Sequence, residues 1–170
     1  MNNFSIAIVG LALSFSSPVV AQDTEPSSLS ETYDSWTVQC QAVNEKRLCQ
    51  MQQELRQANT NQRVLFTAIT RSGDSDDMKG TFVAPFGLAL ADGFTLEAEE
   101  GQVLTAPFKT CLPAGCLVEA DLSPKVVARL AGYDKVVAVM AAADTGQAVR
   151  TDIDLKGFTA AYNRLIGLSN

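Results

Sequence analysis

The 170-residue sequence contains no histidine. Ser-His-Asp and Cys-His catalysis require an imidazole, as do His-ligated zinc and haem sites, so these functions are excluded. Positive charge is also scarce, because 13 Lys and Arg stand against 19 Asp and Glu and leave a net charge of −6. Nucleic-acid binding depends on neutralising phosphates with cationic side chains, and the acidic balance therefore disfavours a nucleic-acid partner.

Charged side chains are absent from the first 21 residues, and Asp23 is the first ionisable side chain. An apolar block over residues 6–13 is followed by a proline and by small residues that end at Ala21. This pattern predicts a secretory signal peptide over residues 1–21, cleaved after Ala21. An uncleaved membrane anchor is the alternative, but the apolar block is shorter than the roughly 20 residues that a bilayer span needs. No later segment reaches that length, so we expect no transmembrane segment after cleavage.

The remaining chain has the length of one domain. Residues 22–33 are mostly polar, include one proline and show no periodicity, which predicts a flexible leader. Residues 34–170 then form a single predicted domain.

The four cysteines occur as two pairs that are each close in sequence. In an oxidising compartment an even number of cysteines in a small domain indicates disulfides, and the spacing favours the local bridges Cys40–Cys49 and Cys111–Cys116. Proline and glycine between the last two predict a hairpin tip that is closed at its base. A redox pair or a four-thiolate zinc site is the alternative, although neither spacing is the usual Cys-x-x-Cys.

Most apolar runs of the predicted domain have the period of a strand. Strands are predicted at residues 36–40, 64–70, 81–90, 94–99, 103–111, 116–122, 135–142 and 149–155. Pro85 and Gly87 argue that the run at 81–90 is an edge strand or contains a bulge. The turn residues at 91–93 predict a hairpin that joins this run to the next strand.

Two segments have helical spacing instead. Ser123 and Pro124 supply a cap and a first-turn proline before a short apolar stripe that ends at Gly132. Near the C-terminus, Leu155, Phe158, Tyr162 and Leu165 recur at the spacing of a helix that packs on a sheet. The sequence therefore predicts a mainly β fold, an antiparallel β-sandwich of about eight short strands with two short helices, held by disulfides.

Carboxylates are the remaining candidates for acid–base chemistry. Glu97, Glu99 and Glu100 lie in or beside a predicted strand, but Glu97 and Glu99 alternate with apolar neighbours, which places them on a solvent face. If the chain is a histidine-free hydrolase instead, Glu97→Gln and Glu119→Gln should abolish its turnover. Asp74, Asp76 and Asp77 resemble part of a calcium loop but lack its later bidentate glutamate. We predict no catalytic residue, no metal site and no cofactor.

Four motifs occur in an order that resembles the invasion-associated locus B (IalB) family. They are WTVQC at 36–40 with Cys49, PFGLAL at 85–90, FKTC at 108–111 with GC at 115–116, and LKGFTAAY at 155–162. The resemblance covers roughly residues 34 to 166, and its most specific part is the Phe-x-x-Cys-x-x-x-Gly-Cys segment before the strand that contains Glu119. It implies an exported protein of a Gram-negative bacterium, periplasmic or associated with the outer membrane, and it supplies no reaction, cofactor or catalytic residue.

Export, a β-rich scaffold and missing catalytic groups together predict a non-enzymatic envelope module that binds another protein or an envelope component. Sheet edges can accept a strand from a partner, and residues 81–90 are the predicted place. The alternatives are a histidine-free envelope hydrolase that uses carboxylates, or a periplasmic stress or stability factor. The sequence leaves the partner and the oligomeric state open.

Overall fold

A computed structural model describes residues 28–44, 46–71 and 77–169. The predicted signal peptide at 1–21 lies outside these residues. The strands are β1 (Ser28–Tyr33), β2 (Trp36–Val43), β3 (Lys46–Arg56), β4 (Arg63–Arg71), β5 (Met78–Ala84), β6 (Phe94–Ala98), β7 (Gly101–Ala106), β8 (Phe108–Leu112), β9 (Gly115–Leu122), β10 (Lys135–Ala141) and β11 (Ala148–Asp154). The helices are α1 (Pro124–Leu130) and α2 (Phe158–Leu168), and a 3-10 turn spans Leu90–Asp92.

Two antiparallel sheets form the sandwich that the sequence predicts. The larger sheet has the order β1-β2-β3-β4-β5-β9-β8, and the smaller one has the order β11-β10-β6-β7. The smaller sheet has four strands against seven, and α2 packs on the inner side of β1, β2 and β3. Helix α2 therefore completes the second layer where the smaller sheet ends.

The core lies between the two layers and is built from the inward side chains of both sheets. Its largest fully buried members are Trp36, Phe94, Phe158, Met51, Leu65, Met78, Leu96, Leu122, Ile153, Leu165, Val38 and Val118. Trp36 meets Phe158 of α2 edge to face, with ring centroids 5.4 Å apart. This contact attaches α2 to the start of β2.

Both helices begin near their predicted positions. Ser123 caps α1, because its side chain accepts a hydrogen bond from the Val126 amide at 3.4 Å, and Pro124 occupies the first turn. In α2, the side chains of Phe158, Ala161 and Leu165 are buried against the large sheet. None of the helices within the described residues is long and apolar enough to span a bilayer.

The leader prediction for residues 22–33 is wrong for its second half. Ser28–Tyr33 forms β1, which pairs with β2 from Ser28 opposite Gln41 to Tyr33 opposite Trp36. Its sequence is too polar to show the strand period clearly. Local strand preference is therefore weak, and the strand is stabilised by pairing with β2 and by packing against α2. Residues 22–27 lie outside the described residues.

The predicted edge strand at 81–90 is a central strand. β5 pairs with β4 on one side and β9 on the other, and it ends at Ala84 before the proline. The predicted hairpin at 91–93 is also wrong, because a 3-10 turn leads the chain from the large sheet into β6 of the small one. The single strand predicted at 103–111 is divided at Pro107 into β7 and β8, which belong to different sheets.

Candidate functional site

A groove of about 680 Å³ lies beside the β2–β3 hairpin, where this hairpin meets the ends of β4 and α2. We call it the hairpin groove. Its described lining residues are Gln39, Gln41, Val43, Lys46, Arg47, Leu48, Cys49, Gln50, Thr70, Arg71, Leu168 and Ser169. These residues come from the consecutive strands β2, β3 and β4 and from the end of α2, which is distant from them in sequence.

Cross-strand pairs between β2 and β3 line much of the hairpin groove. Gln39 stands opposite Gln50, and Gln41 stands opposite Leu48. The Gln50 amide donates to the side-chain oxygen of Gln52 at 2.6 Å, which orients it along the sheet. Leu48 is 59% exposed. The groove thus combines side-chain amides, which both donate and accept hydrogen bonds, with an apolar side chain that no described element covers.

A disulfide lies within this hairpin. Cys40 and Cys49 are directly opposite each other in the β2–β3 register, with Sγ atoms 2.07 Å and Cα atoms 4.0 Å apart. Cys40 is 2% exposed and faces the core. The Cys49 Sγ atom lies 3.9 Å from the Leu168 carbonyl oxygen at the end of α2. The bridge therefore crosslinks β2 to β3 next to the end of α2.

The end of α2 is held from the other side by β4. The guanidinium of Arg71 donates to the Ser169 carbonyl at 3.1 Å, and a cation at this position also opposes the negative end of the helix dipole. Lys46 and Arg47 add two further cations to the groove lining. The described lining residues include no carboxylate, although the whole chain carries an excess of acid.

An ion pair attaches β1 to α2 beside the groove. Arg164 donates twice to Glu31, from Nε at 2.6 Å and from Nη2 at 2.8 Å, and Tyr33 donates to the same carboxylate at 3.0 Å. The hydrogen bond from Arg164 lowers the pKa of Glu31 below its usual value, assisted by the one from Tyr33. Burial and the neighbouring carboxylate raise the pKa of Tyr33. This cluster positions two elements rather than presenting a reactive group.

The hairpin predicted at Cys111–Cys116 is formed by β8 and β9 and lies at the opposite end of the large sheet. Cys111 and Cys116 stand opposite each other in the β8–β9 register, with Sγ atoms 1.96 Å apart, and the tip carries Leu112, which is 51% exposed. A smaller groove of about 230 Å³ lies beside it, and Phe86 on its rim is 62% exposed. The four cysteines thus form two separate local bridges, and the sequence-based alternative of one four-thiolate site does not fit this placement.

The carboxylates weighed for catalysis are distributed over the surface. Glu97 pairs with Arg150 at 2.8 Å on the outer face of the small sheet, and Glu119 pairs with Lys109 at 2.6 Å on the outer face of the large one. The hydrogen bond from Lys109 lowers the pKa of Glu119, so this group stays ionised near neutral pH. Because the sandwich separates them, the two glutamates cannot act on one bond.

The other acidic candidates form no cluster either. Glu100 accepts a hydrogen bond from Tyr133 at 2.9 Å, and Glu99 is exposed in the turn after β6. Asp77 is exposed, whereas Asp74 and Asp76 lie outside the described residues. Within the described ranges, no group of three acidic or cysteine side chains is placed to hold a metal ion.

The groove residues on β3 were not predicted from the sequence. The strand from Lys46 to Arg56 is rich in Gln, Lys, Arg and Glu, which have low strand preference, so it was not predicted at all. One signal was available, because a bridge between Cys40 and Cys49 makes residues 41–48 the end of a hairpin. That inference would have placed Leu48 near an exposed tip.

The chain is similar to several known proteins over nearly its whole predicted domain. The family model for the invasion associated locus B (IalB) protein matches residues 36–166. An invasion protein B homolog from Brucella abortus (strain 2308) is 39% identical over 143 residues, which is 84% of this chain and 82% of the relative. Invasion protein B from Bartonella bacilliformis is 26% identical over an alignment that covers 96% of each chain.

A solved structure agrees with the sequence comparisons. The crystal structure of invasion associated protein B from Bartonella henselae superposes with a TM-score of 0.75 at 29% sequence identity, over 82% of this chain and 96% of that one. The β-sandwich, its connections and the sequence motifs therefore point to the same relatives. The chain belongs to the invasion-associated locus B family.

Proposed function

We propose that the chain is an exported, non-enzymatic protein of the cell envelope that binds another protein through the hairpin groove. The uncharged apolar start of the sequence supports export. The relatives are named invasion proteins, which agrees with a role in the envelope or at the host-cell surface. Neither name states an enzymatic reaction.

The observation that carries the proposal is the exposed Leu48 among the amides of Gln39, Gln41 and Gln50. Apolar side chains within a polar rim are typical of protein interfaces. Side-chain amides can hydrogen-bond both the N–H and the C=O groups of a polypeptide, so they suit an extended partner segment. Leu48 supplies a contact for an apolar side chain of that segment.

The distribution of the carboxylates supports a non-enzymatic role. Glu97 and Glu119 each have a cationic partner and lie on opposite outer faces. Acid–base hydrolysis by two carboxylates needs both on one substrate bond and needs environments that separate their pKa values. The hydrolase alternative has no comparable arrangement to support it among the described residues.

A photo-crosslinking residue placed at Leu48 tests the proposal in intact cells. The matched control is the same residue at Leu112, because both leucines are about half exposed and both adjoin a disulfide cysteine. We expect the Leu48 variant to form a discrete crosslinked species in the envelope fraction and the Leu112 variant to form none of that size.

Competition makes the test specific. Purified wild-type protein should suppress the Leu48 crosslink in envelope fractions, and the purified Leu48→Asp variant should compete at least tenfold more weakly, a difference of about 1.4 kcal/mol. The proposal fails if Leu48 and Leu112 give the same products, or if both purified proteins compete equally. Recovery of the protein from the cytoplasmic fraction would contradict export.

A further inference from the structure

The four strands at the edges of the two sheets differ in how their free edges are protected. β1 and β8 are the edges of the large sheet, and β7 and β11 are the edges of the small one. An edge strand presents unpaired backbone N–H and C=O groups, and proteins usually block it with a bulge, a proline, a charged side chain or a covering element.

Both β8 and β7 are blocked. β8 has five residues, shifts register between Phe108 and Thr110, and carries Lys109. β7 shifts register where it faces Leu96 and Glu97, and the guanidinium of Arg129 on α1 donates to the Gln102 carbonyl at 2.9 Å. A further strand cannot pair regularly with either edge, because the register shifts, Lys109 and the Arg129 hydrogen bond stand in its way.

The edge strand β11 is also protected. It carries Arg150 and Asp152, and its last carbonyl, at Asp154, already accepts hydrogen bonds from Trp36 at 3.0 Å and Gln53 at 2.9 Å. This end of the strand is therefore satisfied from within the molecule.

β1 has no bulge, no proline and no charged side chain among its outward residues. Its six residues pair with β2 in unbroken register and include neither proline nor lysine. The outward side chains of Ser28, Ser30 and Thr32 are small, exposed hydroxyls. Its single charged side chain, Glu31, points to α2 and is neutralised by Arg164. β1 is therefore the least protected edge among the described strands.

We propose that β1 pairs antiparallel with β1 of a second copy, which joins the two large sheets into one. The sequence of β1 suits a twofold pairing in which Ser30 meets Ser30 of the second copy. Ser28 then meets Thr32, and Leu29 meets Glu31, so outward residues meet outward residues and hydroxyls can hydrogen-bond across the strands.

The other registers are less favourable. A shift by one residue would place outward side chains against inward ones. A shift by two residues in one direction shortens the overlap within β1 to three residues, and in the other it sets Glu31 against Glu31. A single six-residue strand buries little area, so the dimer is weak and forms in the micromolar range or above. The dimer would present two hairpin grooves. It would therefore bind a partner that carries two copies of the recognised segment with increased avidity.

Cysteine crosslinking tests this pairing in the full mature protein. Directly opposed residues of paired strands have Cβ atoms about 4.5–5.5 Å apart, close to disulfide geometry, so mild oxidation should crosslink Ser30→Cys into a dimer. Gln39→Cys is the matched control, because Gln39 stands opposite Ser30 on β2, one strand inside the edge. We expect the Ser30→Cys dimer to form at least tenfold faster than the Gln39→Cys dimer.

Sedimentation velocity between about 1 μM and about 1 mM provides the second readout. We expect the wild-type protein to dimerise within this range and Ser30→Lys, which sets two ammonium groups against each other, to weaken association at least tenfold. Near-ultraviolet circular dichroism of Ser30→Lys checks that the fold is retained. A wild-type monomer throughout, equal crosslinking of the two cysteine variants, or unchanged association of Ser30→Lys would each overturn the proposal.

Discussion

The β2–β3 and β8–β9 hairpins carry the same covalent feature in different surroundings. The bridge Cys40–Cys49 lies inside a long strand pair, with Cys40 buried and Cys49 against the end of α2. The bridge Cys111–Cys116 closes a short tip at a sheet edge, where Cys111 is exposed. A local disulfide can therefore either connect a surface groove to the core or shape a single turn.

The turns of the two hairpins differ as well. Asn44 provides the left-handed backbone at the β2–β3 tip, with a φ of 49°. At the β8–β9 tip this is done by Gly115, with a φ of 134°, and its Cα packs against the chain at Ala84. Asparagine tolerates the left-handed region, whereas the Gly115 conformation is open only to glycine. The position of Asn44 therefore accepts residues other than glycine, whereas the position of Gly115 does not.

Removal of the Cys40–Cys49 bridge should have the largest effect. Loop-closure entropy at a sequence separation of 9 predicts a loss of about 2.6 kcal/mol, and the lost packing at Cys40 and Leu168 should bring the total to about 4 kcal/mol. The double variant Cys40→Ala/Cys49→Ala should therefore unfold at clearly lower urea concentration than wild type. Equilibrium unfolding followed by tryptophan fluorescence measures this at Trp36.

The matched variant is Cys111→Ala/Cys116→Ala. Its separation of 5 predicts about 2 kcal/mol, with little further loss because the hairpin tip is exposed. Equal losses of stability in the two double variants would show that α2 gains nothing from the bridge beneath it. The distinction between the two hairpins would then be wrong.

Gly115→Ala should be nearly as damaging, although it removes no bond. An alanine Cβ at this position would overlap the Ala84 carbonyl oxygen and lie 2.9 Å from Val83 Cγ1. The clash and the strained backbone together should cost about 3 kcal/mol in the free energy of unfolding. Differential scanning calorimetry of the purified variant measures the loss.

Gly146→Ala is the control for backbone strain alone. Gly146 has a φ of 65° with nothing within 4 Å of the added Cβ, so we expect a loss of only about 1 kcal/mol. If Gly115→Ala is no worse than Gly146→Ala, the close approach to Ala84 does not stabilise the β8–β9 hairpin.

The two hairpins also show how far the sequence predicts this fold. The β8–β9 hairpin was predicted correctly, because Cys111, Pro113, Gly115 and Cys116 specify a turn by local chemistry. The helices were found for the same reason, since Ser123 and Pro124 mark the start of α1. These are elements whose residues contact their own neighbours in sequence.

The hairpin groove was not predictable in this way. β1 and β3 have weak local preference and become strands through pairing with β2 and packing against α2. The central position of β5 was misjudged because Pro85 was placed within the predicted strand. In the structure β5 ends at Ala84, and Pro85 is the first residue after it. Leu48 comes together with Gln39, Gln41 and Gln50 only through the pairing of β2 with β3, and β3 was not predicted.

The smallest expected effect concerns pH and compares the ion pairs beside the two hairpins. Arg164 lowers the pKa of Glu31, so the folded protein gains stability from this carboxylate above its unfolded pKa of about 4.3 and loses it as the pH falls through the lowered value. Glu31→Gln should therefore be less stable than wild type at pH 7 and should approach it in urea unfolding at pH 3.

Glu119→Gln removes the corresponding pair with Lys109 at the other end and should shift stability in the same direction. The effect of Glu119→Gln on stability should be smaller than that of Glu31→Gln. Arg164 holds Glu31 with two hydrogen bonds and joins β1 to α2, whereas Lys109 makes one hydrogen bond to Glu119 between adjacent strands on the surface. A pH dependence unchanged by Glu31→Gln would show that β1 is held by backbone pairing alone. In that case the support of the hairpin groove would come from the Cys40–Cys49 bridge and the core contacts of α2.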